Sequence, residues 1–238
     1  MRKYGKWIGG GLGWVLGGPI GAIIGYALGS YLEDANSPVQ TGKMGTQAGD
    51  FTVSLLVLSA AVVRADGRVD ARELNYVRDF LLRQTGPRGI DQKMDALKRL
   101  TGQNIDLEPV CKQIATHMDE ASRLQLLHLL FGISQCDGQV HPLEVTVIGQ
   151  ISAMLGIAHA DFEAIKAMFF KDPAADYKIL EIAPTASDDE VKKAYRAMAK
   201  KFHPDKVSHL GPEHQEPAKQ KFQKVQEAYE SIKRQRGL

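Results

Sequence analysis

The sequence predicts an all-α protein in three parts. Three observations carry that prediction: an uncharged glycine-rich stretch at the start, apolar residues at helical spacing from residue 50 onward with no convincing strand, and two amphipathic runs near the end. The expected boundaries are a glycine-rich transmembrane helix at 1–34, a linker at 35–49, a helical bundle with an internal helix-pair repeat at 50–172, and a helical hairpin unit at 175–238. At 238 residues, 44% hydrophobic and 24% charged, the chain has the composition of a folded protein rather than a disordered one. A net charge of +2 gives no ground for expecting a nucleic-acid partner. The two cysteines, Cys111 and Cys136, form no disulfide framework and match no metal-ligand spacing. Both sit in apolar helical patterns and read as buried free thiols.

The first element runs from Trp7 to Leu32, 26 residues without a charge, nine of them glycine. About 20 apolar residues in a helix suffice to cross a bilayer. Each glycine would weaken an isolated helix in water by about 1 kcal/mol, whereas in lipid the backbone bonds cannot be exchanged for water. Tyr4, Trp7, Tyr26 and Tyr31 suit the two interfaces. A membrane anchor is the expectation; a glycine-rich hairpin or peripheral association, and a signal peptide or soluble packing element, are the alternatives, the signal lacking a clean small-x-small cleavage site. Gly5, Gly9, Gly13, Gly17, Gly21, Gly25 and Gly29 recur every four residues, a spacing that lets two helices approach closely and makes a homodimer a further expectation. Arg2, Lys3 and Lys6 precede the span, which by flanking charge alone would leave the N-terminus in the cytoplasm.

Residues 35–49, with Pro38 and Gly42, Gly45 and Gly49, read as a linker. The helical part then repeats with an offset of 71: "ADGRVDARE" at 65–73 matches "CDGQVHPLE" at 136–144. Leu55, Leu58, Val62, Val77 and Phe80 correspond to Leu126, Leu129, Ile133, Ile148 and Ile151. Each half is therefore a helix, a tight Asp-Gly turn and a second helix, the pair closing around one core. The acidic residues of the turns admit two readings. As caps, Gly67 and Gly138 end the first helices in left-handed geometry, Asp70 to Glu73 forms a capping box, and Pro142 opens a helix. As metal ligands, oxygens clustered in a turn suit a hard cation, although the pattern is not that of an EF-hand.

The tail holds 13 basic and 10 acidic residues over 176–238. Ser187 to Glu190 has the form of a capping box, so a helix starts there. Val191, Tyr195, Met198 and Phe202 form its apolar face, and Lys192, Lys193, Arg196, Lys200 and Lys201 project elsewhere. Phe222, Val225, Tyr229 and Ile232 mark a second helix, expected to pack antiparallel on the first, with Tyr177 and Leu180 of a short helix covering one end. Between them, His203-Pro204-Asp205 stops the first helix, because Pro204 disfavours helical geometry at His203 and Asp205 can bond the turn backbone. No nucleophile or second base accompanies the histidine. An enzyme is therefore not expected, nor is a cofactor.

Two resemblances extend this reading. The two Asp-Gly-x-Val turns and the helix count over roughly 47–172 resemble the TerB-like family, named for tellurite resistance; the resemblance implies metal ligands at Asp66, Glu73, Asp137 and Glu144. "DEVKKAYRAMAKKFHPDK" followed by "FQKVQEAY" resembles the J-domain along about 60 residues. That resemblance implies a DnaK-type chaperone as partner, with His203, Pro204 and Asp205 stimulating its ATP hydrolysis and Lys192, Lys193, Arg196, Lys200 and Lys201 supplying positive charge for an acidic patch. The order of the three parts is similar to that of the DjlA-type membrane-anchored co-chaperones. It implies an inner-membrane protein with its folded domains in the cytoplasm, where ATP is available. The rival expectation is a TerB-like stress-response scaffold, or metal-binding protein, with a vestigial J-like tail.

Overall fold

The computed structural model describes residues 18–20, 22–23, 51–136, 138, 141–170, 174–211 and 214–237. Ten α-helices and one 3-10 helix make up the part from residue 51 onward, with no strand among the described residues. Most of the glycine-rich segment lies outside the described residues. Within it, 18–20 and 22–23 are helical, Ile20 is buried, and its N–H donates to Gln113 Oε1 at 3.0 Å. Among the described residues no helix is long and apolar enough to cross a membrane.

Two helices without a polar face form the centre. In α1 (Phe51–Val63, FTVSLLVLSAAVV) and α5 (Glu120–Ser134, EASRLQLLHLLFGIS) nearly every side chain is buried, and the two pack on each other. A helix apolar all round has no side to give to water, so its neighbours must enclose it. They are α2 (Ala71–Thr85), α3 (Ile90–Thr101), α4 (Leu107–His117), α6 (Pro142–Met154) and α7 (His159–Ala167). Each contributes an apolar stripe, such as Ile90, Met94, Leu97 and Leu100 of α3 on α1. The repeat holds in three dimensions: all ten paired apolar residues from Leu55 to Ile151 are buried. At one point the packing is close enough to require glycine, since a Cβ on Gly132 of α5 would lie 3.0 Å from Cζ of Tyr76 and closer still to its hydroxyl.

The turns cap as expected. Gly67 and Gly138 have φ of 81° and 85°, and Asp70 and Glu73 complete a capping box. His141 caps α6 through its side chain, with Pro142 in the first turn. Of the two cysteines expected to be buried, Cys111 is and Cys136 is only half-buried, because Cys136 falls in the turn beyond the last residue of α5.

The C-terminal unit comprises α8 (Ala175–Ile179), α9 (Asp188–Lys201), the 3-10 helix (Pro204–Leu210) and α10 (Gln215–Arg236). Val191, Met198 and Phe202 of the α9 stripe meet Val225, Ala228 and Ile232 of α10 in one core. Tyr195 and Tyr229 stack at 4.2 Å along its edge. The fully buried stripe of α10 is Ala218, Lys221, Val225, Ala228 and Ile232, so a lysine occupies a core position. Arg236 closes the far end: its guanidinium donates to Pro184 O and Asp188 Oδ1, both at 3.0 Å, and lies over the Tyr177 ring. The unit is packed on the helical bundle through α8 on α7 and through the 3-10 helix and α10 on α5.

Candidate chaperone-docking site

The site is built at the C-terminal end of α9. Its other end is fixed by Ser187, whose N–H donates to Glu190 Oε2 at 2.7 Å while Glu190 N–H donates back to Ser187 Oγ at 3.4 Å. Helix geometry then distributes the five basic residues. At about 100° per residue, Lys192, Lys193, Arg196 and Lys200 fall within an arc of about 100°, and Lys201 lies about 180° from Lys192. The first four are exposed. Lys192 makes only a long contact with Asp189, at 3.9 Å, so this face presents mobile positive charge to solvent. Lys201 is turned the other way. Its ammonium ion-pairs with Asp161 of α7 and with Glu181 at 3.2 Å. Burial pulls its pKa down, but the two carboxylates outweigh burial and hold it above the ordinary lysine value.

The His-Pro-Asp tripeptide follows directly. His203 caps the 3-10 helix with φ −61° and ψ 133°, and Pro204 takes the first position, where a missing N–H costs nothing. The sequence assigned the turn bond to Asp205 as acceptor. In the structure the roles are reversed: Asp205 N–H donates to His203 Nδ1 at 3.3 Å. With Nδ1 accepting, Nε2 is the ring nitrogen left to donate. The His203 ring rests edge-on against Phe222 at 5.8 Å and its side chain is half exposed. Asp205 is 88% exposed, and with no cation among the described residues closer than the 3.5 Å contact to His203 its carboxylate is open to an incoming Arg or Lys. Val207, buried beneath, keeps the turn seated. The connection that follows His203 is thus ordered, as the 3-10 helix Pro204–Leu210.

Of the four carboxylates of the Asp-Gly turns, the three described are engaged within the bundle. Asp66 Oδ1 accepts from Arg68 N–H at 2.8 Å, Glu73 Oε2 from Asp70 N–H at 3.3 Å, and Glu144 from the Ser134 hydroxyl. Glu73 and Glu144 are both buried, and the repeat brings them close to one another. Burial, then the Glu144 charge, pushes the Glu73 pKa up to about 8; burial raises that of Glu144 as well, against the Ser134 hydrogen bond. Asp137 lies outside the described residues. Among the described residues there is no group of three His, Cys, Asp or Glu placed to hold a metal. The Asp66 and Glu73 oxygens thus serve the turn and the cap, and the Glu144 carboxylate serves a contact with α5.

Sequence reasoning missed the polar residues that join the C-terminal unit to the bundle: Asp119, Ser122, Gln125 and Asp161 on one side, Glu181, His209, His214 and Lys221 on the other. One signal was available. Lys221 falls at the i, i+4, i+7 and i+11 spacing of Val225, Ala228 and Ile232, which marks it as buried.

Comparison with known proteins finds three family matches along the chain. Residues 1–38 match the Co-chaperone DjlA transmembrane domain, residues 52–167 match Tellurite resistance protein TerB, and residues 176–236 match the DnaJ domain. The Co-chaperone protein DjlA of Coxiella burnetii is 28% identical across the whole of both chains, and that of Vibrio cholerae is likewise 28% identical across the whole of both. The DjlA of Escherichia coli K12 is 33% identical over 128 residues, 43% of this chain and 47% of that one. No solved structure matches the chain. A transmembrane-domain match, a TerB-like bundle and a terminal J-domain, in this order and with similarity along the full length of both chains, give the protein the architecture of the DjlA-type co-chaperones.

Proposed function

We propose that the chain is a non-enzymatic co-chaperone that recruits a DnaK-type chaperone and stimulates its ATP hydrolysis. One observation carries the reading: an exposed His203-Pro204-Asp205 turn, rigidly capped, at the end of a helix whose exposed face holds Lys192, Lys193, Arg196 and Lys200. The basic face steers and orients an acidic partner. The turn then offers a hydrogen-bond donor at His203 Nε2 and a free carboxylate at Asp205 to a single switch element. In the test, full-length protein in detergent is added to a DnaK-type chaperone and single-turnover ATP hydrolysis is followed. His203→Gln should abolish stimulation with helical circular dichroism and melting unchanged, since the half-exposed side chain meets a turn N–H, a ring edge and the exposed Asp205 carboxylate and fills no core position. Equal turnover with variant and wild type refutes the reading.

The same proposal puts the protein in the bacterial inner membrane, with 50–238 in the cytoplasm where the partner has ATP. The flanking charges Arg2, Lys3 and Lys6 favour the opposite orientation, and protease digestion of spheroplasts distinguishes the two. The glycine spacing further supports pairing of two anchors, which cross-linking of a Gly21→Leu variant tests. A second reading, a cation-dependent scaffold, is favoured by the approach of buried Glu73 to Glu144. Calcium binding lost in Glu73→Gln, with no effect of the protein on a chaperone ATPase, would select it.

A further inference from the structure

The segment carrying His203 is held to the TerB-like bundle on both sides. Two residues before it, Lys201 is gripped by Asp161 of α7, a residue 2% exposed, and by Glu181. Glu181 adopts φ 57°, a left-handed conformation that a non-glycine residue keeps only when its surroundings demand it. One residue before it, the Phe202 ring lies 5.0 Å beneath the ammonium of Lys221, which reaches across to Gln125 Oε1 of α5 at 2.9 Å. Six residues after it, His209 Nε2 is 3.2 Å from Ser122 Oγ and 3.5 Å from Asp119 Oδ2. Eleven residues after it, His214 is fully buried between Phe51 and Phe80, with Gln84 Nε2 donating to its Nε2 at 2.8 Å. That amide is oriented by Thr52, whose hydroxyl donates to Gln84 Oε1.

Such contacts are costly to bury and stay favourable only in good mutual geometry, so they specify one arrangement of the two domains. None of them covers the exposed arc of Lys192, Lys193, Arg196 and Lys200, and Asp205 stays open to solvent. The bundle therefore supports the tripeptide from behind. A seven-residue 3-10 helix is long for its type and weak alone. Unsupported, it would spend part of its time in other conformations, and stimulation would fall by the fraction lost.

Resting on the co-chaperone reading above, we infer that the TerB-like bundle positions the His-Pro-Asp turn for the chaperone, with Asp161 acting through Lys201 as a positioning residue. Lys201 then contributes through the bundle and not by touching the partner. The experiment measures chaperone ATPase stimulation against concentration of full-length protein for Asp161→Asn, Lys201→Glu, the double variant Lys201→Glu/Asp161→Lys, Arg196→Ala and His203→Gln. Asp161→Asn and Lys201→Glu should each lower the stimulation at saturation by about five-fold or more, and amide exchange across 203–210 should rise in both. The reversed pair should bring saturating stimulation back to within about two-fold of wild type. Arg196→Ala should shift the half-saturating concentration instead. Wild-type saturating stimulation in Asp161→Asn overturns the inference, as does a folded double variant that stays as weak as Lys201→Glu, which would make Lys201 a direct contact. His203→Gln keeps the two questions apart: its full activity would sink the co-chaperone reading, whereas its silence beside a fully active Asp161→Asn would sink only the positioning role.

Discussion

Replacing Glu73 by Gln should stabilise the protein at neutral pH and flatten the dependence of its stability on pH. The Glu73 carboxyl is buried beside Glu144, and its pKa is pushed from the ordinary 4.5 to about 8, first by burial and then by the Glu144 charge. Because the folded value lies above the unfolded one, the folded chain holds more protons across that window. Stability is therefore full below pH 4.5, falls as pH rises toward 8 and then levels off. Each pH unit inside the window costs about 1.4 kcal/mol, so about 3 kcal/mol is lost between pH 5 and pH 7. Glutamine keeps the acceptor for Asp70 N–H and has no proton to lose. At 2–4 °C per kcal/mol for a chain of this size, the difference in melting temperature between variant and wild type should grow by about 6–12 °C from pH 5 to pH 7. The assay is a pair of thermal melts at each pH, with and without calcium. Parallel pH profiles for the two proteins would refute the reasoning. Calcium that stabilises the wild type at pH 8 and not the variant would show the two carboxylates acting as ligands.

Two further outcomes follow from packing. Gly132→Ala places a Cβ inside the contact distance of the Tyr76 hydroxyl and 3.0 Å from its Cζ, and should lower stability by about 1–3 kcal/mol in a thermal melt; adding Tyr76→Phe should recover part of the loss. Lys221, its pKa pushed down to about 7 by burial, binds fewer protons when folded between pH 7 and its ordinary 10.5, so the wild type should gain about 1.4 kcal/mol per pH unit from pH 7 to 9. In Lys221→Met that gain should disappear, which chemical denaturation at the two pH values would detect.

What the sequence disclosed was local. Ser187 to Glu190 and Asp70 to Glu73 are capping boxes because three-residue spacing is all such a cap needs, and both formed. The runs of α1 and α5, apolar for the most part, became the centre because neither gathers its polar residues into one face. The tripeptide, the exposed basic arc and the internal repeat were legible for the same reason. The contacts behind the turn were not: Gln125 and Lys221 are 96 residues apart, and Gln84 and His214 are 130 apart. No periodicity within one helix names the helix it will meet. Asp161, in the first turn of α7, carried no signal in the sequence, and its partner Lys201 lies 40 residues on. Lys201 itself was grouped with its neighbours by charge, although its angular position on α9 already set it apart.

The burial of His214 against Phe51 also fixes a length. The transmembrane-domain match ends at residue 38 and α1 begins at Phe51, so the twelve residues 39–50 can span at most about 40 Å. His214, eleven residues beyond His203, lies 4.4 Å ring to ring from that first residue of the bundle. The turn is therefore moored at the root of the leash and not at the free end of a second domain. Were the first 38 residues held at a bilayer, any partner the turn engages would be gathered into a thin layer over the membrane, with a volume set by covalent geometry and not by affinity.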